Sequence, residues 1–420
     1  MTVSPSPSRV DWRTLLLALF FLVSAVGLFG LAALMFVFAV STLSGSDQTM
    51  SLTLFVMAGG MFFGTLLLAP GVYLNARGFL GFADGELHLP ALNEEVMFVL
   101  LAALWVLALV LGQSVSSNTL GLIVLPAINV MAVGLPVIFF LRVALRRLEL
   151  PPARHGWSVF GVTLVIGPIA GILLEGIVLV IFMFGAGIYA GKSPELARQM
   201  TQLAELVKNS VSSDAIITAA APIIFSPGGL LILVGLFSVA VPAIEEAIKV
   251  SALWLFADKI KTPLQGFALG VLCGAAFALA ENLGFSSTGA GDWLSTASLR
   301  ASSALPHMLN TGILGWAAVS AWQKHTYGRL GVAYAAVMLI HGTWNAISLA
   351  IWLNSLVPYA PNAPHFILNP VPFFAGWITM IIGTFLGLMY CNRALFQGSR
   401  PLQAGYNEPL PNPKSGEDHD

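Results

Sequence analysis

The chain has 420 residues, of which 57% are hydrophobic and 9% are charged, and its formal net charge is -1 at pH 7. A water-soluble domain carries about 25% charged residues, so the composition excludes an ordinary soluble protein. The lack of a basic excess argues against nucleic acid as a partner. We therefore expect an integral membrane protein of the all-α class, because a helix satisfies its own backbone hydrogen bonds in lipid.

About ten apolar runs are long enough to cross a bilayer, which takes roughly 20 residues of helix. They lie at 14–40, 52–74, 96–113, 121–143, 159–184, 229–257, 264–285, 298–322, 331–353 and 371–391. The first run exceeds the apolar core of a signal peptide, about 7–15 residues, so we expect it to be a retained helix. The fold class predicted is a polytopic transmembrane helix bundle of about ten spans.

The positive charges of the connecting segments predict how the spans are oriented across the membrane. Most of the 19 Lys and Arg residues fall in alternate segments on the side of the N-terminus. The segments on the other side hold only Lys192, Arg198 and Lys208, while Lys249 and Arg300 lie within spans. Because Lys and Arg accumulate in cytoplasmic loops, both termini are predicted to be cytoplasmic.

The spans and connections divide the chain into regions. We predict a cytoplasmic N-terminus at 1–13, an N-terminal transmembrane region at 14–225, a C-terminal transmembrane domain at 226–391 and a cytoplasmic tail at 392–420. The tail is rich in Pro, Asn and charge, which predicts disorder.

One outer segment, at 191–215, is amphipathic. Its apolar residues Leu196, Met200, Leu203 and Leu206 recur at helical spacing, which predicts a helix on the membrane surface. A plain connector and a substrate-gating element both remain open for it.

Ionisable residues inside spans are concentrated late in the chain. Each costs about 2.5–3.5 kcal/mol near the bilayer centre, so each needs a partner or a function. Those in the sixth to ninth spans are Glu245, Glu246, Lys249, Glu281, His307 and His341. Earlier in the chain Glu175 is the main exception, and we interpret it as a hydrogen-bonded structural acid.

Two adjacent acids precede a lysine in the sixth span. On a helix Lys249 lies four residues after Glu245 and three after Glu246, so it can neutralise either acid on one face. The second carboxylate, crowded by the first and desolvated, suits a general base or acid. An ion pair that only packs helices is an equal alternative.

A buried Glu or His is, taken alone, more often structural than catalytic. Glu281, His307 and His341 together, however, form a ligand set. Glu281, His307 and His341 come from three successive spans and would supply the three protein ligands of a catalytic zinc site, with a fourth position left for water. Water on such a metal becomes a nucleophile towards a peptide carbonyl near neutral pH. We predict a divalent metal, zinc, as cofactor, and the acidic pair as the base for that water.

The polar residues of these spans fall into short motifs. The motifs are EEAIK at 245–249, FALAE at 277–281, PH at 306–307 and HGTWN at 341–345. Over about 240–350 the sequence resembles the PrsW family of prokaryotic intramembrane metalloproteases, within the superfamily of the CAAX prenyl endopeptidases. The motifs match the family patterns EExxK, FxxxE, the third-motif histidine and HxxxD/N in its Asn form. Arg300 matches an arginine common in the family.

The resemblance implies a metal-dependent endopeptidase, multi-pass in a prokaryotic plasma membrane, that cleaves membrane-embedded or membrane-proximal proteins. Some family members act in stress signalling through anti-sigma factors, which would make this regulated proteolysis. Beside Glu245 and Glu246, the catalytic set then includes Asn345, as an oxyanion donor or as a support for His341. The supporting set is Lys249, Arg300 and Phe277, where Arg300 would orient the substrate or the acidic pair.

Two other classes of protein also fit these residues. A proton-coupled transporter or channel would use intramembrane Glu and His as a relay, although the sequence has neither the inverted repeats nor the broken helices typical of transporters. A scaffold protein without catalytic activity would use the same polar residues to hold its helices together. Expected partners are a transmembrane protein substrate and the lipid bilayer, and the oligomeric state is not specified.

Overall fold

A computed structural model describes residues 11–43, 48–87, 93–209, 212–286, 293–360 and 363–404. The helices follow in chain order as α1 (Trp12–Ser41), α2 (Gln48–Phe79), α3 (Glu94–Val115), α4 (Thr119–Leu145), α5 (Ala153–Ala190), α6 (Pro194–Lys208), α7 (Ser213–Ile224), α8 (Pro227–Gly235), α9 (Val241–Ser251), α10 (Pro263–Ser286), α11 (Trp293–Lys324), α12 (Tyr327–Ser355), α13 (His365–Leu368) and α14 (Val371–Ala404). A π-helical segment, Leu236–Ala240, joins α8 to α9. These described residues contain no β-strand, and the predicted all-α bundle is confirmed.

Nine helical segments of the described chain are long and apolar enough to cross a membrane, and they coincide with nine of the predicted spans. They are Trp12–Ser41, Thr49–Phe79, Glu94–Val115, Thr119–Leu145, Ala153–Ala190, Pro227–Phe256, Pro263–Gly284, Tyr327–Ser355 and Val371–Gln397. The remaining predicted span, 298–322, is also helical, as part of α11. It is not among the nine because polar residues such as His307, Asn310 and Thr311 reduce its apolar character.

Helices α10 and α11 form the centre of the bundle. In the apolar stretch of α10, 78% of the residues are buried inside the protein, against 17% in α1. The two helices pack against each other closely enough that a Cβ added at Gly274 would lie 2.4 Å from the carbonyl oxygen of His307. Small residues at such crossings let helix backbones approach in membranes. The absence of a side chain at Gly274 thus brings α10 against the histidine-bearing part of α11.

The outer amphipathic segment is helical as α6, within the predicted 191–215. Ser193 caps its N-terminus by accepting from the backbone N–H of Leu196. No residue of α6 is buried, although the helix packs against α7. Residues 210–211 lie outside the described part, and the location of α6 on a membrane surface stays a prediction.

The last helix extends into the region predicted as the tail. Residues 392–404 continue the last span as helix to Ala404. Extending an existing helix adds a hydrogen bond per residue without a new nucleation step. The disorder expected of the tail stays a prediction. The rest of the tail, 405–420, and residues 1–10 of the N-terminus lie outside the described residues.

Candidate active site

The acidic motif lies on α9, with its polar side chains turned into the protein. Glu245, Glu246 and Lys249 are all buried. The Lys249 Nζ atom lies 2.8 Å from Glu245 Oε2 and 3.2 Å from Glu246 Oε1, as their spacing on a helix requires. One ammonium group therefore bridges two carboxylates at a site shielded from solvent.

Both predicted histidines face this motif from neighbouring helices. His307 of α11 places Nδ1 2.8 Å from Lys249 Nζ, and His341 of α12 places Nδ1 2.8 Å from Glu246 Oε1. The two imidazole rings are perpendicular, with centroids 5.4 Å apart. Three helices thus converge on one buried polar cluster.

Within the cluster, one set of three side chains can hold a metal ion. Ligand atoms of Glu245, His307 and His341 all lie within 4.8 Å of one another, and all three residues are buried. Two His and one Glu form a known ligand set for catalytic zinc. In addition, Glu246 Oε2 is buried without a hydrogen-bond partner among the described residues. The donor set and the unpaired carboxylate oxygen fit a divalent cation with a water beside it. Such a cation would replace the contacts that Lys249 Nζ makes with Glu245 Oε2 and His307 Nδ1, each at 2.8 Å.

Glu281 lies next to this set but outside it. Its Oε2 is 2.8 Å from His307 Nε2, and its Oε1 accepts a hydrogen bond from Arg300 at 3.0 Å. The residue pattern predicts Glu281 as the third ligand beside the two histidines, whereas in the structure the group whose ligand atoms all lie within 4.8 Å of one another contains Glu245. A carboxylate on the second nitrogen of a ligating histidine typically orients that ring. Arg300 contacts Glu281, whereas from the sequence it was expected to orient the substrate or the acidic pair.

The remaining predicted residues also surround the cluster. The Phe277 ring lies 5.5 Å from that of His307, and Lys249 Nζ stands 4.3 Å from the Phe277 centroid, a cation–π distance. Asn345 is half-buried on α12 and donates from Nδ2 to the backbone carbonyl of Phe237 at 2.9 Å. That carbonyl belongs to the π-helical segment before α9, not to the reacting centre.

Two residues near the site were not assigned to it from the sequence. The hydroxyl of Tyr334 donates to the carbonyl of Ala243 on α9 at 2.7 Å. Tyr334 lies seven residues before His341, hence on the same helical face, and this spacing was the available signal. Glu175, interpreted as a structural acid, is half-buried on α5, a helix that packs against α9.

The fold and the cluster define a class: a polytopic membrane protein whose buried acids and histidines have the ligand set of a metallohydrolase. Residues 175–377, nearly half of the chain, match the model of the PrsW family intramembrane metalloproteases. The chain therefore carries a domain of this peptidase family, as its motifs indicated. The domain makes it a peptide hydrolase of the membrane, and the family implies a divalent metal. The chain has no match among the curated proteins or the solved structures with which it was compared.

The matched range is wider than the stretch of 240–350 that carries the motifs. It begins at Glu175 on α5 and ends in α14. All of the clustered residues fall within it. Helices α1 to α4 lie outside.

Proposed function

We propose that this protein hydrolyses peptide bonds of membrane-embedded or membrane-proximal proteins at the cluster of α9, α11 and α12. The observation that carries the proposal is the meeting of Glu245, His307 and His341 beside Glu246. In this account Glu245, His307 and His341 hold a divalent cation, zinc by the chemistry of the ligand set. We extend the proposal to membership of the CAAX prenyl endopeptidase superfamily.

Glu246 is the base in this account. Lys249 and His341 bind its Oε1, while its Oε2 lacks a partner and is available to a water. The Lys249 ammonium favours the ionised carboxylate, which takes the proton from the attacking water and returns it to the departing amine. A bound divalent cation supplies Lewis acidity, polarising the carbonyl and acidifying water to a pKa of about 7.

Glu281 and Arg300 support His307 on the side of the imidazole that faces away from Lys249. Glu281 lies on His307 Nε2, so it fixes the direction of that imidazole and raises its basicity as a ligand. Arg300 balances the charge of Glu281. This pair gives His307 a fixed orientation before any substrate arrives.

Cleavage of a single-span reporter protein in liposomes tests the proposal. The parent protein should release fragments whose new termini lie in or near the span. A chelator should stop the reaction and added zinc restore it. The exposed residue Glu149 offers a control, because Glu149→Gln should cleave as the parent does.

Full cleavage by a Glu245→Gln/Glu246→Gln variant would refute the mechanism. Proton-coupled solute uptake without any cleavage would favour a transporter instead. Comparing membrane fragments from cells with and without the protein would then identify the substrate. A substrate that releases a soluble domain would support a role in signalling.

We also propose that the protein lies in a prokaryotic plasma membrane with both termini cytoplasmic. The bias of Lys and Arg supports this orientation. Reporter fusions after Arg147 and after Lys208, on either side of α5, should report the cytoplasmic and the outer side respectively. The same side for both fusions would contradict it.

A further inference from the structure

The helix of the acidic motif begins with a gap in its hydrogen bonding. In the π-helical segment Leu236–Ala240, the N–H of Val241 donates to the carbonyl of Leu236, five residues earlier. The next bond in this register would join position 242 to Phe237. Position 242 is proline, which has no N–H. The carbonyl of Phe237 therefore loses its helical donor.

Asn345 supplies a donor to that carbonyl. Its Nδ2 lies 2.9 Å from the oxygen of Phe237. The side chain of Asn345 therefore replaces the N–H that Pro242 lacks. Phe237 lies in a helical segment that is long and apolar enough to cross a membrane. A carbonyl without any donor would be costly there, because lipid offers none.

Helix α12 contacts the chain around Pro242 at two more points. Tyr334 donates to the carbonyl of Ala243. A Cβ added at Gly342 would lie 2.3 Å from the carbonyl oxygen of Ser238, so only glycine allows α12 to approach so closely. Three residues of α12 thus hold the chain on both sides of Pro242.

The direction of the two acids depends on this segment. A π turn contains one more residue than an α turn, and one residue corresponds to about 100° of rotation around a helix. Glu245 and Glu246 follow Pro242 by three and four residues. Loss of the π turn would turn Glu246 away from His341, whose Nδ1 it contacts.

We propose that Asn345 is a positioning residue, which fixes the register of α9 by donating to Phe237 in place of the missing N–H of Pro242. This inference rests on the proposed function for its effect on catalysis, but its structural part stands alone. It differs from a role as oxyanion donor, in which Asn345 would touch the substrate.

The test uses a rescue. Asn345→Ala removes the donor, while Pro242→Ala restores an N–H that can reach Phe237. Asn345→Ala should lower kcat by about tenfold or more, as expected when an acceptor is left unpaired, with KM nearly unchanged. The Pro242→Ala/Asn345→Ala protein should recover most of the kcat of Pro242→Ala alone. Asn354→Ala is the matched control, because Asn354 also donates from α12 to a backbone carbonyl, that of Ile367.

Hydrogen exchange gives a readout that needs no activity. Amides of 241–246 should exchange faster in Asn345→Ala, return towards the parent rate in the double variant, and stay unchanged in Asn354→Ala. Unchanged exchange in Asn345→Ala would overturn the inference. So would a double variant as inactive as Asn345→Ala, which would point to an oxyanion role. A parent protein without protease activity would refute the proposed function and leave the exchange result to decide this inference.

Discussion

The N-terminal spans are more apolar than the spans around the site, and the two groups of helices use polar residues differently. In the N-terminal region the buried polar contacts join neutral side chains, such as Asn75 to Ser158 at 2.9 Å. Around the site the buried contacts join ionisable groups, with Lys249 and Glu246 both fully shielded. Neutral hydrogen bonds are sufficient to dock helices, whereas buried charge needs both compensation and a function.

A second contrast lies between two kinds of ion pair. Lys249 serves two buried carboxylates, while Arg13 and Asp258 pair at the surface with side chains 58% and 56% exposed. Solvent screens the surface pair but not the buried one. We therefore expect substitutions in the two pairs to differ greatly in effect.

The largest effect is expected at the base. Glu246→Gln keeps the shape of the side chain but removes its ability to take a proton, so kcat/KM should fall by about 10³-fold, within the usual range for general bases. Reporter cleavage in liposomes measures it, with Glu149→Gln as control. A fall in kcat/KM of less than threefold would mean that another residue is the base.

The buried cation should dominate stability. In the metal-free protein, Lys249→Met leaves two shielded carboxylates without compensation, which should cost about 3–5 kcal/mol of folding free energy. Thermal unfolding in detergent measures the change. A midpoint equal to that of the parent would mean that another group neutralises Glu245 and Glu246.

Glu281 should have an intermediate effect on metal binding. If it orients His307, Glu281→Gln should weaken metal affinity by about 10–100-fold and still permit full loading at saturating metal. Titration of the metal-free protein distinguishes this from direct ligation. Failure to load at any concentration would make Glu281 a ligand, as the sequence analysis predicted.

The surface pair should matter least. Hydrogen bonds from Arg13 lower the pKa of Asp258, so the pair stabilises the fold above the unfolded pKa of Asp258, and this contribution is lost as pH falls through the lower folded pKa. Because both side chains are exposed, Arg13→Ala should change stability by only about 0–1 kcal/mol. Thermal unfolding at pH 7 measures it. A destabilisation as large as that of Lys249→Met would contradict the contrast between the two pairs.

Much of the fold was predictable because length and apolarity decide what can cross a bilayer. The predicted run at 298–322 is helical as part of α11, although its polar residues keep it out of the nine spans that are apolar enough to cross a membrane. The site was predictable in composition because intramembrane charges are rare. Its internal arrangement was not, because it depends on the packing of α10 and α11 at Gly274 and on the π turn before α9. Residue spacing alone carries neither feature, and only the structure brings Glu245 as well as Glu281 next to the histidines.

We propose that Glu245, His307 and His341 hold a metal that Glu246 uses without binding it. Elemental analysis of the purified parent, His341→Ala and Glu246→Gln proteins, after loading with zinc and washing, tests this most directly. We predict one zinc per chain in the parent and in Glu246→Gln, and none in His341→Ala. Equal zinc in all three proteins would mean that His341 is structural, and the metalloprotease account of this cluster would lose its chemical basis.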